Sequence, residues 1–268
     1  MASRKDQKEA ARQRRLAEEQ ARAEKARRER RLRMLGGVVI GAIVIIAAAI
    51  AISSGGGSNN GSAAASRPNS PAAKQAQASV NSLLNGIPQN GNTLGSPNAK
   101  VTVTEYGDLV CPICRDFALG AEKQLIANDV RSGKVKLVYK ALETASATAN
   151  NAMFVPSQTA ALAAGQQKKG WNYIELFYHE QGSETSSYVT DKYLQGLAAQ
   201  VPGLNYSTWN SDRGSSSLSA QVNQDQQAAA AAGFNSTPTI VVKGISQAQP
   251  IVGAASYSQL ESAIKSVS

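Results

Sequence analysis

Cys111 and Cys114 are the only cysteines in 268 residues, and they stand two positions apart in the stretch YGDLVCPICRDF. Joining neighbours this close removes little entropy from the unfolded chain, so a structural staple is a poor motive for the pair. A structural zinc site needs further Cys or His ligands, and the chain has one histidine, His179, and no third cysteine. Reversible thiol–disulfide exchange is the chemistry this spacing favours, with no metal and no cofactor called for.

Exchange requires elements that set the acidity of each sulfur. The stretch AKVTVTEYGD alternates β-branched residues and reads as a strand ending at Gly107. Pro112 suits a first helical turn, and Ile113, Phe117, Ala121 and Leu125 recur at four-residue spacing towards Val130. Cys111 therefore sits where a helix begins, and unpaired N–H groups there favour a thiolate. Such sites lower a thiol pKa from about 8.5 to roughly 3.5–7.5. Cys111 is expected to be the exposed attacking sulfur, and Cys114, one turn inward, the resolving one.

The rest of the folded region reads as α/β. GKVKLVYKAL supplies a second strand, TPTIVVKG a third and QPIVGA a short fourth. Between the second and third, helices are expected at 157–168, 171–180, 189–200 and 215–232. A closing helix is expected from Tyr257 to Val267. His179 reads as a packing or surface residue, Trp171, Tyr173, Phe177 and Tyr178 as core and surface of one helix, and Arg115, Asp116 and Asp108 as charges facing water.

In EYGDLVCPIC followed by a helix, a long helical stretch and a Thr-Pro leading into a strand, the chain resembles the DsbA family of extracytoplasmic thiol–disulfide oxidoreductases. The resemblance covers about residues 80–268. It implies a thioredoxin-like sheet with a large helical insertion at about 150–232. It also implies that Pro238 is a cis-proline facing the sulfur pair, with Thr237 offering backbone groups to an extended substrate. Pro112, Ile113, Thr237 and Pro238 are then the candidate substrate-binding residues, and Cys111, Cys114 and Glu105 the candidate catalytic ones. Glu105 falls where the family places a buried acid; burial is expected, because it shares a face with Val101 and Val103. Its carboxyl would exchange a proton with Cys114. The sequence departs from well-known members at Ile113, where some carry a histidine whose imidazole stabilises the thiolate.

Location decides what such a pair would do. Residues 34–52, MLGGVVIGAIVIIAAAIAI, lack any charge and are long enough to cross most of a bilayer's apolar core as a helix. A cleaved signal peptide is the competing reading, through Ala49 and Ala51, but the charged stretch ahead is longer than a usual n-region. Residues 1–33 carry 13 Lys plus Arg against 6 Asp plus Glu, so +7 of the whole-chain +9 lies before the span. That excess orients the tail to the cytoplasm. It also argues against nucleic-acid binding, which would need the charge on the folded body. The expected layout is a basic cytoplasmic tail at 1–33, a single transmembrane anchor at 34–52, a flexible linker at 53–79 and an extracytoplasmic domain at 80–268.

The function expected from these readings is the introduction of disulfides into reduced exported proteins, with reoxidation by a membrane partner. A reductase or isomerase of the same fold, and a noncatalytic peptide-binding module, are the alternatives.

Overall fold

The computed structural model describes residues 67–148 and 153–268. The expected tail and span at 1–52 lie outside the described residues. Among the described residues, no helix is long and apolar enough to cross a membrane.

The framework is a six-stranded mixed sheet in the order β1-β2-β4-β3-β5-β6. The strands are β1 (Gln89–Asn90), β2 (Thr93–Leu94), β3 (Val101–Gly107), β4 (Val135–Ala141), β5 (Thr239–Lys243) and β6 (Ile251–Val252). β3 is central, parallel to β4 and antiparallel to β5, with Glu105 opposite both Tyr139 and Ile240. Alternation puts Val101, Val103 and Glu105 on one buried face, as the sequence pattern requires.

The chain before β1 forms α1 (Pro71–Leu84), which corrects the linker boundary expected at residue 79. Ser70 caps it by accepting the Ala73 N–H, and Pro71 fills the first turn. Ala73, Ala76, Val80 and Leu84 are buried at helical spacing. Composition concealed this helix because two of its four buried positions are only alanine.

After β3 runs α2, residues 112–130, in which two π-helical turns, Ala118–Glu122 and Ile126–Val130, interrupt the α geometry. Each widens the turn by one residue. The expected stripe is therefore corrected. Ile113 points out, Ala121 is only partly buried, and Glu122 takes the inward place five residues after Phe117.

The helical insertion follows β4, as expected: α3 (Ala145–Thr148), α4 (Phe154–Gln166), α5 (Gly170–His179), α6 (Asp191–Ala198), α7 (Tyr206–Asp212) and α8 (Ser216–Ala231). In α5 every residue from Gly170 to Tyr178 is buried, because α1, α2, α4 and α6 pack around it. Trp171, Tyr173, Phe177 and Tyr178, expected to divide between core and surface, are all core residues. The closing helix α9 (Tyr257–Val267) packs on β5 and starts with a Ser256–Gln259 capping box.

Candidate active site

The loop between β3 and α2 is built on Asp108. Its carboxylate is fully buried and accepts four hydrogen bonds: Val110 N–H at 3.0 Å, Thr144 N–H at 3.0 Å, Ser146 N–H at 2.8 Å and the Ser146 hydroxyl at 2.7 Å. The expectation that Asp108 faces water is corrected. Its own carbonyl accepts the Cys111 N–H at 3.0 Å, so one residue closes the turn and fastens it to α3. Gln181, from the loop after α5, donates from Nε2 to the carbonyls of Leu109 at 2.8 Å and Cys111 at 3.1 Å.

Cys111 is the N-cap of α2, with extended backbone, followed by Pro112 in the first turn. The two thiols are unbonded to each other. Cys111 is 6% exposed and Cys114 fully buried, so the expected exposed sulfur is only the outer of two covered ones. The Cys111 thiol donates to the Thr237 carbonyl at 3.6 Å. Its pKa is lowered to about 6, chiefly by a hydrogen bond from Cys114; burial opposes this, and the Thr237 side chain and the N–H groups of Ile113 and Cys114 add to it. Cys114 moves the opposite way, well above the ordinary thiol value, because it is buried and sits beside Cys111 and Glu105. Neighbouring sulfurs in one turn of helix thus differ strongly in acidity.

The Thr237–Pro238 peptide is cis, in agreement with the resemblance, and Pro238 is buried. Gly253 N–H donates to the Pro238 carbonyl at 2.8 Å, and the Thr237 hydroxyl is hydrogen-bonded to that of Thr144. Ile113, 46% exposed, presents an apolar side chain to solvent beside the sulfurs, while Arg115 and Asp116 are exposed as expected.

Behind Cys114 lies Glu105, fully buried, its pKa raised to about 8 by desolvation; the neighbouring Glu122 carboxyl opposes the rise, and Glu175 and Cys111 reinforce it. Gly107 leaves room for this carboxyl, since a Cβ there would come within 3.0 Å of Glu105 Oε1 and 2.7 Å of the Tyr139 ring. His179 lies half-buried on α5, its pKa lowered by burial and by the Lys123 and Arg115 charges.

Cys111, Cys114, Glu105, Thr237, Pro238, Pro112 and Ile113 are therefore brought to one end of β3. Sequence reasoning missed Asp108, Thr144, Gln181 and Glu122. Only Asp108 carried a local signal: an Asp two residues before a bonded N–H is an Asx turn.

A protein-family model described as Thioredoxin matches residues 89–266, and the chain belongs to that family. It is 23% identical over 181 residues to a probable disulfide bond formation protein D of Bacillus anthracis, covering 62% of this chain and 79% of that one. Its fold is similar to that of oxidised BdbD from Bacillus subtilis, with a TM-score of 0.57 at 22% identity over 68% of this chain and 95% of that one. It is similar also to a double Cys→Ala variant of α-DsbA1 of Wolbachia pipientis, with a TM-score of 0.55 at 16% identity, covering 70% of this chain and 94% of that one. The protein is a thiol–disulfide oxidoreductase of the thioredoxin family.

Proposed function

We propose that this chain introduces disulfides into reduced exported proteins from the outer side of the cell membrane, using Cys111 and Cys114 as the redox pair. The carrying observation is the opposed acidity of the two sulfurs. A thiol of low pKa is a good leaving group, and a stabilised Cys111 thiolate favours the dithiol form of the protein, which makes its disulfide a donor.

The reaction proceeds as follows. A substrate thiolate attacks the Cys111 sulfur of the Cys111–Cys114 disulfide, that bond breaks, and Cys114 leaves. Cys114 is a poor leaving group as a buried anion, so Glu105, protonated at neutral pH, gives it a proton. A second substrate thiolate then attacks the substrate sulfur of the mixed disulfide and expels Cys111 as its stabilised thiolate. The substrate gains a disulfide and the protein becomes a dithiol. Reoxidation reverses these steps: Cys111 attacks the disulfide of a membrane partner, and Cys114, giving its proton to Glu105, closes the internal bond. Thr237 and Pro238 would hold the substrate backbone beside Cys111, and Pro112 and Ile113 would contact its side chains.

Residues 34–52 would anchor the chain in a single pass, with 1–33 in the cytoplasm and 53–70 as a tether to the catalytic domain. This placement supplies the oxidising compartment that a disulfide donor needs. The similar Bacillus anthracis protein carries a name that points in the same direction.

Oxidative refolding of a reduced secreted protein tests the reading. The oxidised domain should restore its disulfides stoichiometrically, and a Cys111→Ser variant should not. Reduction of protein disulfides without any oxidation would assign the chain instead as a reductase.

A further inference from the structure

Glu105 on β3, Glu122 on α2 and Glu175 on α5 are all buried, and none of their six carboxyl oxygens has a hydrogen-bond partner of acceptable geometry in the protein. The Tyr139 hydroxyl from β4, the Tyr178 hydroxyl from α5 and Gln158 Nε2 from α4 are buried and unpartnered as well. Orphaned buried polar groups are costly, and native structures hold few of them without a reason.

Electrostatics link the three acids in sequence. Glu122 lowers the pKa of Glu105 and is itself raised by Glu105, Glu175 raises Glu105, and Glu122 raises Glu175. The groups facing Glu105 are Cys111, Cys114, Glu122, Glu175, Tyr139 and Tyr178. Among the described residues, the one cation acting on the three is Lys123, exposed on α2 and felt by Glu175. Three neighbouring carboxyls in this setting cannot all ionise, so they share protons.

We propose that Glu122 and Glu175 are positioning residues that act through Glu105, Glu122 steadying and Glu175 opposing the charge it acquires when it passes a proton to Cys114. The inference rests on the reading of Glu105 as the acid of the exchange. When the Cys111–Cys114 bond breaks, the Glu105 proton moves to the Cys114 sulfur and one negative charge remains. A protonated Glu122 donates a hydrogen bond to that carboxylate, while the charge of any ionised Glu175 opposes it. On reoxidation the Cys114 proton returns to Glu105. No bond besides S–S, S–H and O–H changes.

The test follows the rate at which Cys114 closes the internal disulfide from a Cys111 mixed disulfide, as a function of pH, in the full-length protein. In the wild type the rate should rise with a midpoint near the Glu105 pKa of about 8. Glu122→Leu removes the hydrogen bond that steadies the carboxylate and should move that midpoint up by at least about half a unit, roughly a threefold slowing at pH 7. Glu175→Gln removes a like charge and should move it down by a similar amount. Glu105→Gln should abolish the step.

If Glu105→Gln abolishes the step while the other two leave the midpoint unmoved, the positioning role is overturned and the reading of Glu105 stands. An unchanged profile in Glu105→Gln overturns both. Should Glu122→Leu fail to fold, the infrared difference between dithiol and disulfide forms decides the matter. Its protonated-carboxyl band should shift in Glu122→Gln and Glu175→Gln, and a band identical to wild type in both contradicts the proposal.

Discussion

The backbone N–H of Thr144 points at Asp108 Oδ2, 3.0 Å away, and this bond completes a ring around the redox pair. From Cys111 N–H the ring runs to the Asp108 carbonyl, through the Asp108 side chain to Thr144, between the Thr144 and Thr237 hydroxyls, and from the Thr237 carbonyl back to the Cys111 sulfur. Three segments far apart in sequence are held to one sulfur.

Asp108→Ala leaves four donors without an acceptor. The expected loss is about 2–4 kcal/mol of stability, read as a lowered denaturant midpoint with unchanged slope. A midpoint equal to wild type would mean that water replaces the carboxylate at no cost, against the buried geometry.

Thr237→Val removes the hydroxyl but keeps the carbonyl. Because the Thr237 side chain helps to lower the Cys111 pKa, that pKa should rise from about 6. Following thiolate absorbance of the dithiol protein against pH measures the change.

Stability should also depend on Glu105. Its folded pKa is raised to about 8 from the ordinary carboxyl value of about 4.5, so the stability it confers is fully present below about 4.5 and is lost as pH rises through 8. Glu105→Gln is neutral throughout, and its stability relative to wild type should increase across that window. Denaturation of the disulfide form at pH 5 and pH 9 checks the sign; a difference that shrinks with rising pH would contradict it.

Helix α1 offers a test of the domain boundary. Leu84 is 3% exposed, and Leu84→Ala should destabilise the domain by about 2–5 kcal/mol. A thermal midpoint within 1 °C of wild type would return residues 71–84 to the role of a tether.

What the sequence disclosed followed strength of pattern. Val101 to Gly107 and Val135 to Ala141 alternate clearly, and both strands fall where that alternation places them. The four helices expected in the insertion all form, within a few residues of their expected ends. Helix α7 escaped because Trp209 is its one buried residue, the others being polar or only partly covered. The β1–β2 hairpin escaped because each strand has two residues, although Gly91, with φ of 58°, marks its turn.

At the site, the cysteines, the cis-proline and the buried Glu105 were legible because motif and strand face locate them. Glu122 was not, since a π-helical turn displaces the inward face from the spacing an α-helix would give. Gln181 was not, because it reaches the cysteine loop from about 70 residues away along the chain, and no local pattern encodes that meeting.

The most direct test is the equilibrium of the purified protein with glutathione buffers of graded potential, quantified by alkylating free thiols and weighing the product. A single two-electron transition involving Cys111 and Cys114 should appear, more oxidising than about −200 mV, well above the roughly −270 mV of thioredoxin. A pair that stays closed or open across the whole series would contradict the account.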